Sequence, residues 1–118
     1  MQRKGIRMTD SFNEYQLLTR ETAIYPGALS GDTTALSYCS LGLAGEVGEV
    51  ANKIKKIIRD KEPAQMSQIA YELGDAQWYL ARLADELGVP LGAIVVSNLE
   101  KLSSRKERGT LSGSGDNR

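Results

Sequence analysis

Apolar residues recur at helical spacing at Leu43, Val47, Val50, Ile54, Ile57 and Ile58, and again at Ile69, Leu73, Ala76, Leu80, Leu83 and Leu87. At about 100° per residue each set forms one stripe along a helix. No stretch sustains the period-2 alternation of a half-buried strand. The chain therefore reads as all-α, an antiparallel helical bundle of about four helices. Its 118 residues fit one domain with a small core, and association between copies would add burial.

The punctuation divides the chain. Residues 1–10 read as a loose N-terminal arm. Ser11 with Glu14 has the form of a capping box and opens a first helix reaching about Ile24. "YPGALSGD" (25–32) is a loop, and a second helix follows Asp32 to about Asp60. After "KEPAQMS" (61–67), with Pro63 near its start, a third helix reaches Leu87, and Gly88 stands at its C′ position. A fourth runs from about Leu91 to Arg105. The helical domain thus spans 11–105, and 106–118 is a Gly/Ser-rich tail that is mobile or orders on binding. Leu36, Leu41 and Leu43 are expected in the core. Trp78 lies off the main stripe, where an oligomer contact or a base-stacking surface competes with plain packing.

The stripe borders carry the chemistry. "LAGEVGEV" (43–50) aligns with "IAYELGDA" (69–76) in the shared form A-x-E-φ-G-[E/D]. Carboxylates at i and i+3 share a helical face. If the two stripes pack together, Glu46, Glu49, Glu72 and Asp75 converge beside the core. Such a group repels itself unless a proton or a cation intervenes. Gly42, Gly45 and Gly48 each cost roughly 1 kcal/mol relative to alanine within a helix. They let another helix or a substrate approach that face, or they simply permit tight packing.

Composition narrows the chemistry. The chain has no histidine, which removes His triads, His acid/base catalysis and His-ligated zinc. The single cysteine, Cys39, can form no internal disulfide and is expected as a buried core residue. Formal net charge is zero, so there is no basic footprint for a nucleic-acid polymer. No apolar run approaches the roughly 18 residues of a membrane span, and the basic N-terminus lacks a secretory h-region. A cytoplasmic location follows as the expectation. All-oxygen ligands select Mg²⁺, with Mn²⁺ as a substitute. Two or more such ions hold phosphates, activate a water and stabilise a leaving oxygen. Lys53 and Lys56 follow Glu49 at i+4 and i+7. Asn98, Lys101 and Arg105 succeed one another by about a turn on the fourth helix, and Tyr79 follows Asp75 at i+4. Each also has an ordinary reading as a solvated helix face or terminus.

"GLAGEVGEVANKIKK" followed by "ELGDAQWYLARLADELG", with "TAIYPG" before and "NLEKLSSRKERGTLSGSGDNR" after, resembles the MazG-like all-α nucleoside triphosphate pyrophosphohydrolases. The likeness runs from Thr22 onward and is closest to the small single-domain phage and bacterial members. It implies cleavage of a nucleoside triphosphate between the α and β phosphates, giving monophosphate and pyrophosphate. It implies Mg²⁺ on Glu46, Glu49, Glu72 and Asp75, which are then both metal ligands and catalytic residues. Glu49, as a carboxylate that does not bridge the ions, is our own candidate for accepting the proton of the attacking water. Tyr79 and Asn98 match positions near the nucleoside; Lys101 and Arg105 match positions near phosphates. The resemblance also implies a homo-oligomer, a tetramer or dimer, with sites near subunit contacts. Some such members favour a purine such as (d)GTP, but no residue here fixes the base. Two other readings stay open: a non-catalytic helical module for nucleotide binding or self-association, and another metal-dependent nucleotide phosphohydrolase.

Overall fold

A computed structural model describes residues 7–61, 63 and 66–118. Four α-helices carry the chain: α1 Met8–Thr19, α2 Thr33–Asp60, α3 Met66–Glu86 and α4 Leu91–Glu107, with a 3₁₀ turn at Arg20–Thr22. Among the described residues there is no strand, and no helix is long and apolar enough to cross a membrane. The all-α expectation holds.

Most boundaries follow the capping chemistry read from the sequence. Asp32 caps α2 by accepting the Ala35 N–H at 2.9 Å. Gly88, at φ +75°, ends α3. There the Val89 N–H reaches Ala84 O at 2.9 Å and the Gly88 N–H reaches Asp85 O at 2.9 Å, the paired bonds of a Schellman turn. α1 departs from expectation. It starts at Met8, and Asp10 rather than Glu14 returns to the chain, accepting the Arg7 N–H at 3.3 Å. Ser11 and Glu14 therefore lie within the helix, one turn past its start. Residues 1–6 of the expected arm lie outside the described residues.

α2 and α3 form the main antiparallel pair. Lys53 meets Glu72, Glu46 meets Glu72 and Asp75, and Gly42 meets Tyr79. The partners ascend on α3 as they descend on α2, which fixes the antiparallel sense. α4 packs chiefly on α1. Gln16 of α1 stitches that contact: its amide donates to Val89 O at 2.9 Å and accepts the Leu91 N–H at 2.9 Å. Asn13 takes the Gly92 N–H at 2.8 Å. Two N–H groups left unpaired at the start of α4 are thus capped from α1. Gly92 is required there, because a Cβ would lie 2.7 Å from Thr9 O.

The buried core is small and lies at one end. Tyr25, Ala35 and Cys39 form one cluster, with Trp78 and Leu83 packed on it. Ala81, Ala84 and Leu91 form another, with Phe12 and Tyr15. Cys39 is buried as expected. Trp78 packs within the chain, its Nε1–H donating to Thr22 Oγ1 at 2.9 Å. Leu41 corrects the expected core: it is 73% exposed. Val47, Ile54, Ile58 and Leu73 of the two stripes are exposed as well. Among the described residues nothing covers these positions once α2 and α3 have paired.

A charged network pins the loop between the 3₁₀ turn and α2. Arg82 is fully buried on α3. It pairs with Asp85 at 2.7 Å and Glu86 at 3.3 Å. Its Nε–H donates to Tyr25 Oη at 3.0 Å, and the Tyr25 hydroxyl donates to Glu86. Glu86 also accepts the N–H groups of Leu29 and Gly31, each at 2.8 Å. Arg20 closes the set on Asp85 with two bonds of 2.9 Å.

Candidate metal and nucleotide site

Glu46 of α2 and Glu72 and Asp75 of α3 each bring one carboxylate oxygen within 4.8 Å of the others. The first two are half-buried and Asp75 is exposed. Helical spacing explains this: Glu72 and Asp75 stand one turn apart on α3, and α2 brings Glu46 against both. Lys53 Nζ lies 3.8 Å from Glu72 Oε1. The Glu46 carboxyl is pushed above its usual value. A hydrogen bond shared with Glu72 is the main cause, followed by burial and by the charges of Asp75, Glu72 and Glu49. Crowding of negative charge around Glu46 thus favours the approach of a positive one. Such a set, all oxygen with no His or Cys, fits a hard divalent cation.

The other expected residues divide. Glu49 is outside the close group but acts on Glu46 through its charge. Tyr79 borders the cluster: its hydroxyl is raised by burial first, with Tyr38 and the Glu46 charge adding to it. Lys56 is exposed and acts on Asp60, whose carboxyl is lowered mainly by Arg59. Asn98 and Lys101 line a separate open hollow of about 490 Å³ along α4, with Val89, Ala93, Ile94 and Ser97. Arg105 is buried, and its Nη2 donates to Asp116 O at 2.8 Å. Tyr15 went unnoticed in the sequence. Burial, and then the charge of Asp75, raises its hydroxyl, so α1 also borders the site.

The glycines also divide. A Cβ on Gly42 would fall 2.2 Å from the Tyr79 ring, so this glycine seats Tyr79 beside Glu46. Gly45, Gly48 and Gly74 have nothing within 4 Å of a built Cβ. Alanine at these three positions should raise the melting stability, each by about 0.8–1 kcal/mol on helix propensity alone. Gly42→Ala should lower it, because the Tyr79 ring must leave its edge-on contact with Trp78 at 5.0 Å. Chemical denaturation of the four single variants checks this. Gly45→Ala losing stability would mean that the face is covered in the folded protein.

Comparison with known proteins bears on these residues. The family model described as the MazG nucleotide pyrophosphohydrolase domain matches residues 35–110, a span containing Glu46, Glu49, Glu72, Asp75, Lys101 and Arg105. The "Gene 37 protein" of Mycobacterium phage L5 is 50% identical over 109 residues, covering 88% of this chain and 96% of that protein. No solved structure matches the chain. The match to more than half of the chain, together with this relative, places the protein in the MazG nucleotide pyrophosphohydrolase family.

Proposed function

We propose that the protein is a Mg²⁺-dependent nucleoside triphosphate pyrophosphohydrolase that converts a (d)NTP to (d)NMP and pyrophosphate, with a purine such as (d)GTP as its base. The convergence of Glu46, Glu72 and Asp75 carries this reading, and family membership gives the reaction class. Glu46, Glu49, Glu72 and Asp75 are the ligands for two or more ions, with Mn²⁺ as a substitute. When bound, the divalent cation neutralises phosphate charge and acidifies a coordinated water.

The chain's own side chains do the rest. Lys53 holds Glu72 in place by its ion pair. Glu49, outside the close group, accepts the proton of the water that attacks phosphorus. The bond between the α and β phosphates breaks, and pyrophosphate leaves with the bridging oxygen or receives the water oxygen, according to which phosphorus is attacked. Tyr79, beside the cluster, contacts the nucleoside and Lys53 takes phosphate charge; Asn98, Lys56, Lys101 and Arg105, which lie apart from the cluster in one chain, join the nucleoside (Asn98) and the phosphates (Lys56, Lys101, Arg105) from a second copy. A second copy lying on the exposed apolar residues Leu41, Val47, Ile54 and Ile58 supplies the missing burial. This makes the working form a homodimer or tetramer acting on the cytoplasmic nucleotide pool.

The test is incubation with each NTP and dNTP plus Mg²⁺, followed by product separation. Equal amounts of monophosphate and pyrophosphate are expected with at least one nucleotide, and none in chelator. Orthophosphate as the product would replace this reading with another phosphohydrolase. No turnover of any nucleotide would leave a binding module.

A further inference from the structure

Tyr38 of α2 has no part in the carboxylate cluster or in the buried Arg82 network. Its ring lies flat on that of Tyr25, with centroids 5.3 Å apart and planes 14° apart. Tyr25 is itself fixed, because it is buried and its hydroxyl is held by Glu86 and Arg82. Trp78 meets Tyr25 edge-on at 6.2 Å and Tyr79 edge-on at 5.0 Å. A continuous string of rings thus runs from Tyr38 to the border of the cluster. Tyr38 is its open end, 43% exposed.

Helical spacing turns that end toward the carboxylates. Tyr38, Gly42 and Glu46 follow one another at i, i+4 and i+8, so they share a face of α2. Eight residues of helix rise about 12 Å, comparable to the reach from a base through its sugar to the first phosphates. The Tyr79 ring sits against Gly42, between the two. Its hydroxyl is raised chiefly by burial, next by Tyr38 and then by Glu46, so it has Tyr38 on one side and the cluster on the other. Gly45, on the same face at i+7 from Tyr38, has nothing within 4 Å of a built Cβ, so no side chain crowds that part of the helix. Packing on Tyr25 uses one face of the Tyr38 ring and leaves the exposed remainder free for a planar ligand.

We propose that Tyr38 is a base-stacking residue of the nucleotide site and that it sets the preference for a purine. Every base has a π face that stacks on an aromatic side chain, and a ring held flat in advance loses little freedom on binding one. A purine brings two fused rings to the stack and a pyrimidine one, so the contact favours the purine. Tyr79 then borders the sugar, and the phosphates reach the cluster. The ligand class rests on the pyrophosphohydrolase reading; the placement of the ring does not.

The experiment is calorimetric titration of the full chain in Mg²⁺ with α,β-methylene dGTP, α,β-methylene dCTP and inorganic tripolyphosphate, which has no base. The wild type should bind the guanine probe more tightly than the cytosine probe. Tyr38→Leu should weaken the guanine probe about tenfold, as for the loss of one base–aromatic stack. It should weaken the cytosine probe less and leave tripolyphosphate unchanged. Tyr38→Phe keeps the ring and should stay close to wild type. Unchanged guanine affinity in Tyr38→Leu overturns the proposal, as does a wild type that fails to bind the guanine probe or to prefer it over cytosine. A matching loss of tripolyphosphate, or a changed oligomeric state, also overturns it, because the ring is then packing. A phenylalanine variant as weak as the leucine one overturns it by assigning the contact to the hydroxyl. Circular dichroism identifies a leucine variant that has lost its helices, and Tyr38→Ala then takes its place. Pyrophosphate release from each nucleotide is measured separately on the wild type. Its absence removes the hydrolase reading, while the probe affinities still decide the role of Tyr38.

Discussion

Glu72→Gln should keep its helices and lose its hydrolysis. Glu72 contributes one of the three clustered oxygens, is the main cause of the raised Glu46 carboxyl and meets Lys53 at 3.8 Å. Losing one anionic ligand withdraws several kcal/mol of transition-state stabilisation, which is about three orders of magnitude in rate. Stability should move the other way. Glu46's carboxyl is held above its usual 4.5. That contribution to stability is complete below the usual value and is lost as pH rises through the folded value. At neutral pH without metal, the wild type therefore bears the repulsion, and Glu72→Gln bears less. In chelator the variant should melt at or above the wild-type temperature. In the wild type, Mg²⁺ at about 100 times its Kd should add about 2.7 kcal/mol, and the variant should lose most of that gain. Pyrophosphate release and paired thermal melts read both effects. Wild-type turnover in Glu72→Gln would remove the cluster from the reaction. A low melting temperature in chelator would mean that the side chain is structural.

The sequence discloses whatever depends on near neighbours. The 3.6-residue period gives α2 and α3 their packing stripes. Asp32 and Gly88 mark helix ends because the groups they satisfy are only a few residues away. E-x-x-E and E-x-x-D each place two carboxylates on one face, and antiparallel pairing does the rest. Contacts set by distant chain segments left no such mark. Arg82 and Glu86 stand at i and i+4, a spacing that on a helix is common to exposed ion pairs and marks no buried network. They are buried only because the loop 25–31 folds over them and lends two N–H groups to Glu86. Gln16 and Asn13 cap a helix more than seventy residues ahead of them. Val47 and Ile54 follow the apolar pattern but stay exposed in one chain, because periodicity marks a face for burial without naming what buries it; Leu41 lies off that stripe. Ser11 misled because Asp10 completes an equivalent cap one turn earlier.

Glu86→Gln should be the most destabilising isosteric change in the chain. One Glu86 oxygen faces the Tyr25 hydroxyl, the Leu29 N–H and an Arg82 N–H; the other faces the Gly31 N–H. An amide NH₂ in either place confronts a donor, and Arg82 loses one of its two buried counter-charges. Breaking a buried pair this way costs about 3–5 kcal/mol, or roughly 10–20 °C in a domain of this size. The loop should loosen first. Leu29 holds φ +69° without being glycine, a conformation that persists only while its surroundings enforce it. Amide exchange at Leu29 and Gly31 should therefore accelerate more than exchange in α2. The pH dependence carries a sign. Burial alone would raise the Glu86 carboxyl, but Tyr25, the Leu29 and Gly31 N–H groups and Arg82 together hold it below its usual 4.5. Arg20, with help from Arg82 and against burial, holds Asp85 below its usual 3.8. These contributions are present above the usual values and are lost as pH falls through the folded ones. The wild type should thus lose stability in acid, and its advantage over Glu86→Gln should narrow there. Denaturant titrations of both proteins at neutral pH and in acid measure that gap. A gap that stays constant into acid, or a variant within about 1 kcal/mol of wild type at neutral pH, would show that ordinary packing of Tyr25, rather than the carboxylate, holds the loop.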